Sequence, residues 1–260
     1  MNILMLGDVV GNKGCEFLKS HLPAMKKLYN IGFVVANGEN SADGNGVSHN
    51  SLNDLYDAGV DVVTTGNHCL RRHDSYDLFD QSPYLLRPAN MTEAAPGRGM
   101  CVVDFGPTAV AVINLLGTVF MDSLESPFQA VDRLIAEAKE AGARIIIVDF
   151  HAEATSEKRA LGLYLDGRAG IVVGTHTHVQ TNDLHIQPAG TGYITDLGMT
   201  GPENSVIGVK YELALRRIKD KLPTRFDNAS DQRYFLNGAV FTADDKTGRV
   251  TDCFFANITG

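Results

Sequence analysis

Gly174-Thr175-His176-Thr177-His178 follows the apolar run 169–173 and precedes the polar stretch Gln180-Thr181-Asn182-Asp183. An apolar run closed by glycine and two histidines reads as a buried strand that delivers imidazoles at its carboxyl end. Imidazole titrates near neutral pH and ligates transition metals. On an extended strand, positions i and i+2 share a face; on a turn past the strand end they can splay. His176 and His178 can therefore each hold a different ion of a two-metal pair. Taken alone, the pentapeptide fits equally a capping histidine beside a core one.

Working outward, four more strand ends repeat the pattern. The run 144–150 delivers His151-Ala152-Glu153, and 60–65 ends in Gly66-Asn67-His68. Residues 33–36 end in Asn37-Gly38-Glu39-Asn40, where a Glu after a buried strand needs water, a partner or a metal. Residues 3–6 stop at Gly7-Asp8, and Asp8 is either a ligand or the cap of the helix predicted over 15–28. In α/β folds, chemistry collects beyond the carboxyl ends of strands. Five such ends, all carrying ligand-type side chains, are hard to explain as caps.

The remaining chain supplies the frame. Loop 41–50 is rich in Gly, Ser and Asn, and Ser48 is placed to cap a helix over 52–58. Arg71, Arg72 and His73 open a helical stretch to residue 79. Residues 100–104 and 108–115, split by Gly106-Pro107, read as a strand pair. Pro127 suits the first position of a helix running to 141. Thr155-Ser156 is the expected cap of a helix over 156–165. Short strands are predicted at 185–187, 192–195 and 196–198, a basic helix over 209–222, and a terminal antiparallel pair at 238–243 and 249–256. Strand–helix alternation first and strand pairs later predict one α/β domain over 1–260, with two mixed sheets and helices outside.

Composition narrows the function. Apolar residues at 44% and charged residues at 21% suit a soluble globule. The formal charge of -8 argues against a basic surface for duplex nucleic acid, but not against a small anionic substrate held by local cations. The cysteines Cys15, Cys69, Cys101 and Cys253 lie far apart, as expected of reduced thiols in a cytoplasmic protein. No basic leader precedes the first apolar run, and no stretch reaches the length of a membrane helix.

Two carboxylates, amide oxygens and three imidazoles, without thiolate, make a mixed N/O donor set. That set suits Mn, Fe or Zn better than Ca or a structural zinc. It offers more donors than one tetrahedral ion needs, and two ions ~4 Å apart with a bridging carboxylate would use them. Such a pair outweighs Asp8, Glu39 and a bridging hydroxide by about one positive charge, enough to draw a phosphodiester monoanion. The ions lower the pKa of bound water and supply hydroxide near neutral pH. His68, beside the ligands, is placed to protonate the leaving alkoxide.

Gly7-Asp8, Gly66-Asn67-His68, His151 and Gly174-x-His176-x-His178 resemble the calcineurin-like metallophosphoesterases in order and spacing. The longer strings are more specific: Asn37-Gly38-Glu39-Asn40, His151-Ala152-Glu153-Ala154-Thr155-Ser156-Glu157-Lys158, Leu165-Asp166-Gly167-Arg168, Gly174 to Thr181, and Ile194 to Pro202 resemble the bacterial YmdB-type subfamily, over nearly the whole chain. The resemblance implies a four-layer α/β/β/α sandwich and a dimetal centre. It implies hydrolysis of cyclic nucleotides, notably 2′,3′-cyclic to 3′-nucleotides, with 3′,5′-cyclic AMP as a further substrate. It also implies that Asp8, Glu39, Asn40 and His178 hold one ion, that Glu39, Asn67, His151 and His176 hold the other, and that His68 is the proton donor. Two divalent ions are expected, Fe or Mn first, with Zn or Mg acceptable.

Two departures from the wider superfamily matter. Its D-x-H start is here Asp8-Val9-Val10, so Asn40 stands in for a histidine, and its second carboxylate, usually Asp, is here Glu39. Both fit the subfamily. After His68 an aromatic and an acidic residue are expected, and Cys69-Leu70-Arg71-Arg72-His73 stands instead. His21, His49 and His185 are expected to be structural or exposed, and Glu153 to be a charge at a helix start. Thr177, Gly198 and Thr200 are the candidate pocket liners. The competing functions are a phosphomonoesterase such as a nucleotidase, and a weakly catalytic regulatory nucleotide-binding protein. Homo-oligomerisation is left open.

Overall fold

Alternation along the strands builds the molecule. The structure is a computed structural model and describes residues 1–260 except Gly44 and Pro107. In chain order it contains β1 (Asn2–Val9), α1 (Gly11–Leu28), β2 (Ile31–Asn37), α2 (His49–Ala58), β3 (Val62–Thr64), a 3₁₀ turn (His73–Ser75), α3 (Tyr76–Gln81), β4 (Met100–Asp104) and β5 (Ala109–Leu116). There follow α4 (Pro127–Glu140), β6 (Ala143–His151), α5 (Thr155–Tyr164), β7 (Ile171–Thr175), β8 (His185–Ile186), β9 (Gly192–Ile194), β10 (Met199–Pro202), α6 (Tyr211–Ile218), β11 (Tyr234–Leu236), β12 (Gly238–Ala243), β13 (Val250–Phe255) and β14 (Ile258–Thr259).

Successive side chains of a strand point to opposite faces, so a strand covered on both sides must be apolar throughout. On β1, Leu4 and Leu6 pack towards α1 and α2, while Ile3 and Met5 enter a core shared with the second sheet. On β5 and β6, Val110, Val112, Ile145 and Ile147 meet that same core. Ala111, Ile113, Ile146 and Val148 face α4 and α5. The result is the expected four layers, α/β/β/α.

One sheet has eight strands centred on β1, and the other runs β4-β5-β6-β7-β9-β8. β2 pairs in parallel with β1 and β3, and β6 pairs in parallel with β5 and β7, so the carboxyl ends of β1, β2, β3, β6 and β7 gather along one edge. A polar seam ties the two sheets just beneath that edge. Asn37 Nδ2 donates to Asp149 Oδ2 (3.3 Å) and Thr175 Oγ1 (3.3 Å), and Thr64 Oγ1 donates to the same Asp149 oxygen.

Several local expectations need correction. α1 begins at Gly11, four residues early, and its N-cap is Val10, so Asp8 is not a cap. α5 is preceded by Ala154 without a side-chain cap, so Thr155-Ser156 does not serve. α6 is shorter than 209–222. Residues 196–198 are not a strand, because Asp196 is drawn into hydrogen bonds with nearby backbone N–H groups. Ser48 does cap α2, in a reciprocal box with Ser51. Of the Gly106-Pro107 break between β4 and β5, Pro107 lies outside the described residues.

Candidate metal centre

The parallel strands deliver eight side chains to one buried web. Asp8 comes from the end of β1, and a register shift between Leu6 and Asp8 in the pairing with β2 lies just before it. Glu39 and Asn40 follow β2, Asn67 and His68 follow β3, His151 ends β6, and His176 and His178 follow β7. Asp8, Glu39 and His151 are fully buried.

Glu39 sits at the middle. Its Oε2 accepts from the His68 backbone N–H (3.0 Å) and lies 3.3 Å from His151 Nε2. Its Oε1 accepts from Asn40 Nδ2 (3.1 Å) and lies 3.1 Å from His68 Nδ1. His151 Nε2 is 3.0 Å from both Asn67 Oδ1 and His176 Nδ1. On the other side of Glu39, His178 Nε2 lies 3.3 Å from Asp8 Oδ1 and 3.2 Å from Asn40 Nδ2.

The far nitrogen of each imidazole is tied to an acceptor. Thr175 Oγ1 gives its proton to Asp149 Oδ1 (2.8 Å), so its oxygen must accept from His151 Nδ1 (3.0 Å). His178 Nδ1 donates to the Ile207 carbonyl (2.9 Å). His176 Nε2 lies 3.0 Å from Glu153 Oε2. These ties fix the tautomers and aim His151 Nε2, His176 Nδ1 and His178 Nε2 into the web, the arrangement that metal-ligating histidines adopt. Glu153 is therefore more than a charge at a helix start.

The backbone is strained where it delivers these rings. His176 (φ 102°) and His178 (φ 63°) both occupy the left-handed region, which costs on the order of 1–3 kcal/mol per residue. A buried ion pair holds the turn: Lys158 Nζ meets Asp196 Oδ2 at 2.6 Å, and that carboxylate accepts from the Thr177 (3.1 Å) and Gly198 (2.9 Å) N–H groups. Gly174 lets β7 approach this point, since a Cβ there would lie 1.8 Å from the Thr195 carbonyl oxygen.

The web fits cations. His151 Nε2 carries one proton at most, yet three lone-pair atoms converge on it. Asp8 Oδ1 is buried and takes no well-oriented hydrogen bond, although His178 is close. Glu39, His151 and His176 each offer a ligand atom, all within 4.8 Å of one another. Gly66 keeps the space clear: a Cβ there would fall 2.3 Å from His151 Nε2 and 2.4 Å from Glu39 Oε2.

Electrostatics agree. Burial opposes the charges on Asp8 and Glu39, but the adjoining imidazoles outweigh it and hold both carboxyls below their ordinary range. Burial also opposes His178 protonation, and the Asp8 carboxylate overcomes it, raising this imidazole to about 9. Burial and the neighbouring His151 push His176 down. Burial lifts Asp149 to about 6, against the hydroxyls of Thr64 and Thr175.

Asn40 turns its amide nitrogen to Glu39 and His178 and its oxygen to His68 Nδ1 (3.0 Å). Ligation through oxygen requires this amide to rotate. Of the expected pocket liners, Thr177 lines the cavity above the web. Gly198 and Thr200 are buried and do not line it: the Gly198 carbonyl accepts from the Asp8 backbone N–H (3.1 Å), and Thr200 lies on β10 beside Val9. Thr175, Lys158 and Asp196 have no local sequence context that marks their roles. Asp149 alone carried a signal, as an acid inside the apolar run 144–150.

The YmdB-like protein family matches residues 4–254. The chain belongs to that family. A 2′,3′-cyclic-nucleotide 2′-phosphodiesterase of Bacillus subtilis is 46% identical over 95% of this chain and 93% of its own length. The crystal structure of a phosphatase from Mycoplasma pneumoniae superposes with a TM-score of 0.93 at 34% identity, covering all of this chain and 93% of the other. A putative 5′-nucleotidase from Staphylococcus aureus covers 98% of this chain with 54% of its own, at a TM-score of 0.60 and 18% identity, which is likeness of fold alone. By family and fold this YmdB-like chain is a phosphoesterase, and the metallophosphoesterase fold implies divalent metal ions.

Proposed function

We propose that this chain is a cytoplasmic, single-domain phosphodiesterase that opens 2′,3′-cyclic nucleotides to 3′-nucleotides with two divalent transition-metal ions, iron or manganese. The observation that carries the reading is the convergence of lone pairs on either side of Glu39. Asp8, Glu39, Asn40 and His178 would hold one ion, and Glu39, Asn67, His151 and His176 the other, with Glu39 bridging. When bound, the ions would activate water and neutralise charge on the phosphoryl oxygens.

The chain's own residues supply the rest. Thr175, Glu153 and the Ile207 carbonyl keep the three imidazoles turned inward. His68 lines the cavity with its Nδ1 held between Asn40 Oδ1 and Glu39 Oε1, which leaves Nε2 to face substrate. A proton on His68 Nε2 passes to the departing 2′ oxygen, and Glu39, through Oε1, keeps the ring in line for that transfer. Reduced, widely spaced cysteines support a cytoplasmic setting. Among the described residues no helix is long and apolar enough to cross a membrane.

The test is a comparison of manganese-loaded protein on 2′,3′-cyclic AMP, 3′,5′-cyclic AMP and 5′-AMP. Preferred turnover of 2′,3′-cyclic AMP to 3′-AMP is expected. Equal or faster release of phosphate from 5′-AMP would make the chain a monoesterase.

A further inference from the structure

The cavity above the donor web, about 400 Å³, has a wall that phosphate chemistry does not call for. Val10, Ile207, Val209 and Phe226 line it opposite in character to the ligands. Three of the four come from the segment between β10 and β11, residues 203–233. We propose, building on the phosphodiesterase reading above, that Phe226 is the platform on which the nucleobase of the substrate stacks, and that this wall makes the enzyme select nucleosides over base-free cyclic diesters.

Four observations support it. Phe226 is 40% exposed, and the Arg217 guanidinium sits 4.9 Å from its ring centroid, a cation–π contact that favours this ring position. An accessible aromatic face is what base stacking uses, and it tolerates any base because every base has a π face. The same ring also lines a second cavity of about 380 Å³, so it stands as a partition beside the metal pocket.

Ile207 is a β-branched residue at φ 49°, a conformation that costs energy and needs external support. Backbone bonds between Val206 and Val209 supply that support. Its carbonyl holds His178 Nδ1, so the apolar wall is indexed directly to one of the proposed metal ligands. Finally, the amides of Asn45 and Asn228 line the same cavity, where they can meet a base edge, with Asn228 Nδ2 also giving one N–H to Asp43 Oδ1 at 3.4 Å.

The test compares kcat/KM for 2′,3′-cyclic AMP with that for glycerol 1,2-cyclic phosphate, which carries the reacting diester without a base. In Phe226→Ala the ratio of the two is expected to fall about tenfold, mainly through KM for the nucleotide. In Phe226→Trp it is expected to stay within about threefold of the parent. The chain contains no tryptophan, so the introduced indole is also a lone reporter. Its fluorescence should be quenched by 3′-AMP and not by glycerol 2-phosphate. An unchanged ratio in Phe226→Ala, or equal quenching by both phosphates, overturns the platform while leaving the phosphodiesterase intact. Absence of turnover on both substrates by the parent protein overturns the phosphodiesterase reading and this one with it.

Discussion

His68 and Gly66 separate two jobs within three residues. His68 takes no part in the proposed ion binding, so His68→Ala should lower kcat by about 10²–10⁴-fold, the usual contribution of a general acid, with metal content retained. Steady-state kinetics beside elemental analysis checks this, and full turnover in that variant would remove the proton-donor role. Gly66→Ala should do the reverse. Its methyl would occupy the space next to His151 Nε2 and Glu39 Oε2, and metal affinity should weaken by about 10–100-fold, as when contacts supporting a ligand are disturbed. A manganese titration of the apoprotein reads it.

At the scale of elements, the turn after β7 depends on α5. Lys158 lies on α5 and Asp196 just after β9, and both side chains are 1% exposed. Removing one partner leaves the other charged and desolvated, which costs about 3–5 kcal/mol. Lys158→Met should therefore lose stability in urea by that order. Adding Asp196→Asn should recover part of it, because the uncompensated charge goes. Activity should be lower in the double variant than in Lys158→Met, since Asp196 also fixes the N–H of Thr177 between the two histidines. A Lys158→Met protein as stable as the parent would show that the pair is dispensable to the fold.

Over the whole molecule, the centre joins the two sheets, so ions should stabilise the entire sandwich. At a free-ion concentration of a hundred times Kd, linkage amounts to about 2.7 kcal/mol. Stripping with a chelator should then lower Tm by roughly 5–10 °C, and restoring manganese or iron should recover it. Equal melting temperatures for stripped and loaded protein would argue against a centre shared between the sheets.

Much of this is legible in the amino-acid sequence. The apolar runs 3–6, 33–36 and 144–150 marked buried strands because a strand covered on both faces has no choice but to be apolar. The ligand-type residues at their ends stood out because caps and turns rarely collect so many imidazoles. Other parts had no such signature. Thr175 and Ile207 orient histidines through one hydroxyl and one backbone carbonyl, groups present along any chain. Lys158 and Asp196, 38 residues apart, look like ordinary surface charges until packing buries them together. The amide orientation of Asn40 and the wall formed by Phe226 also depend on what lies opposite. Local periodicity encodes which residues are buried and where strands stop; partners across the fold are set only when the two sheets close on each other.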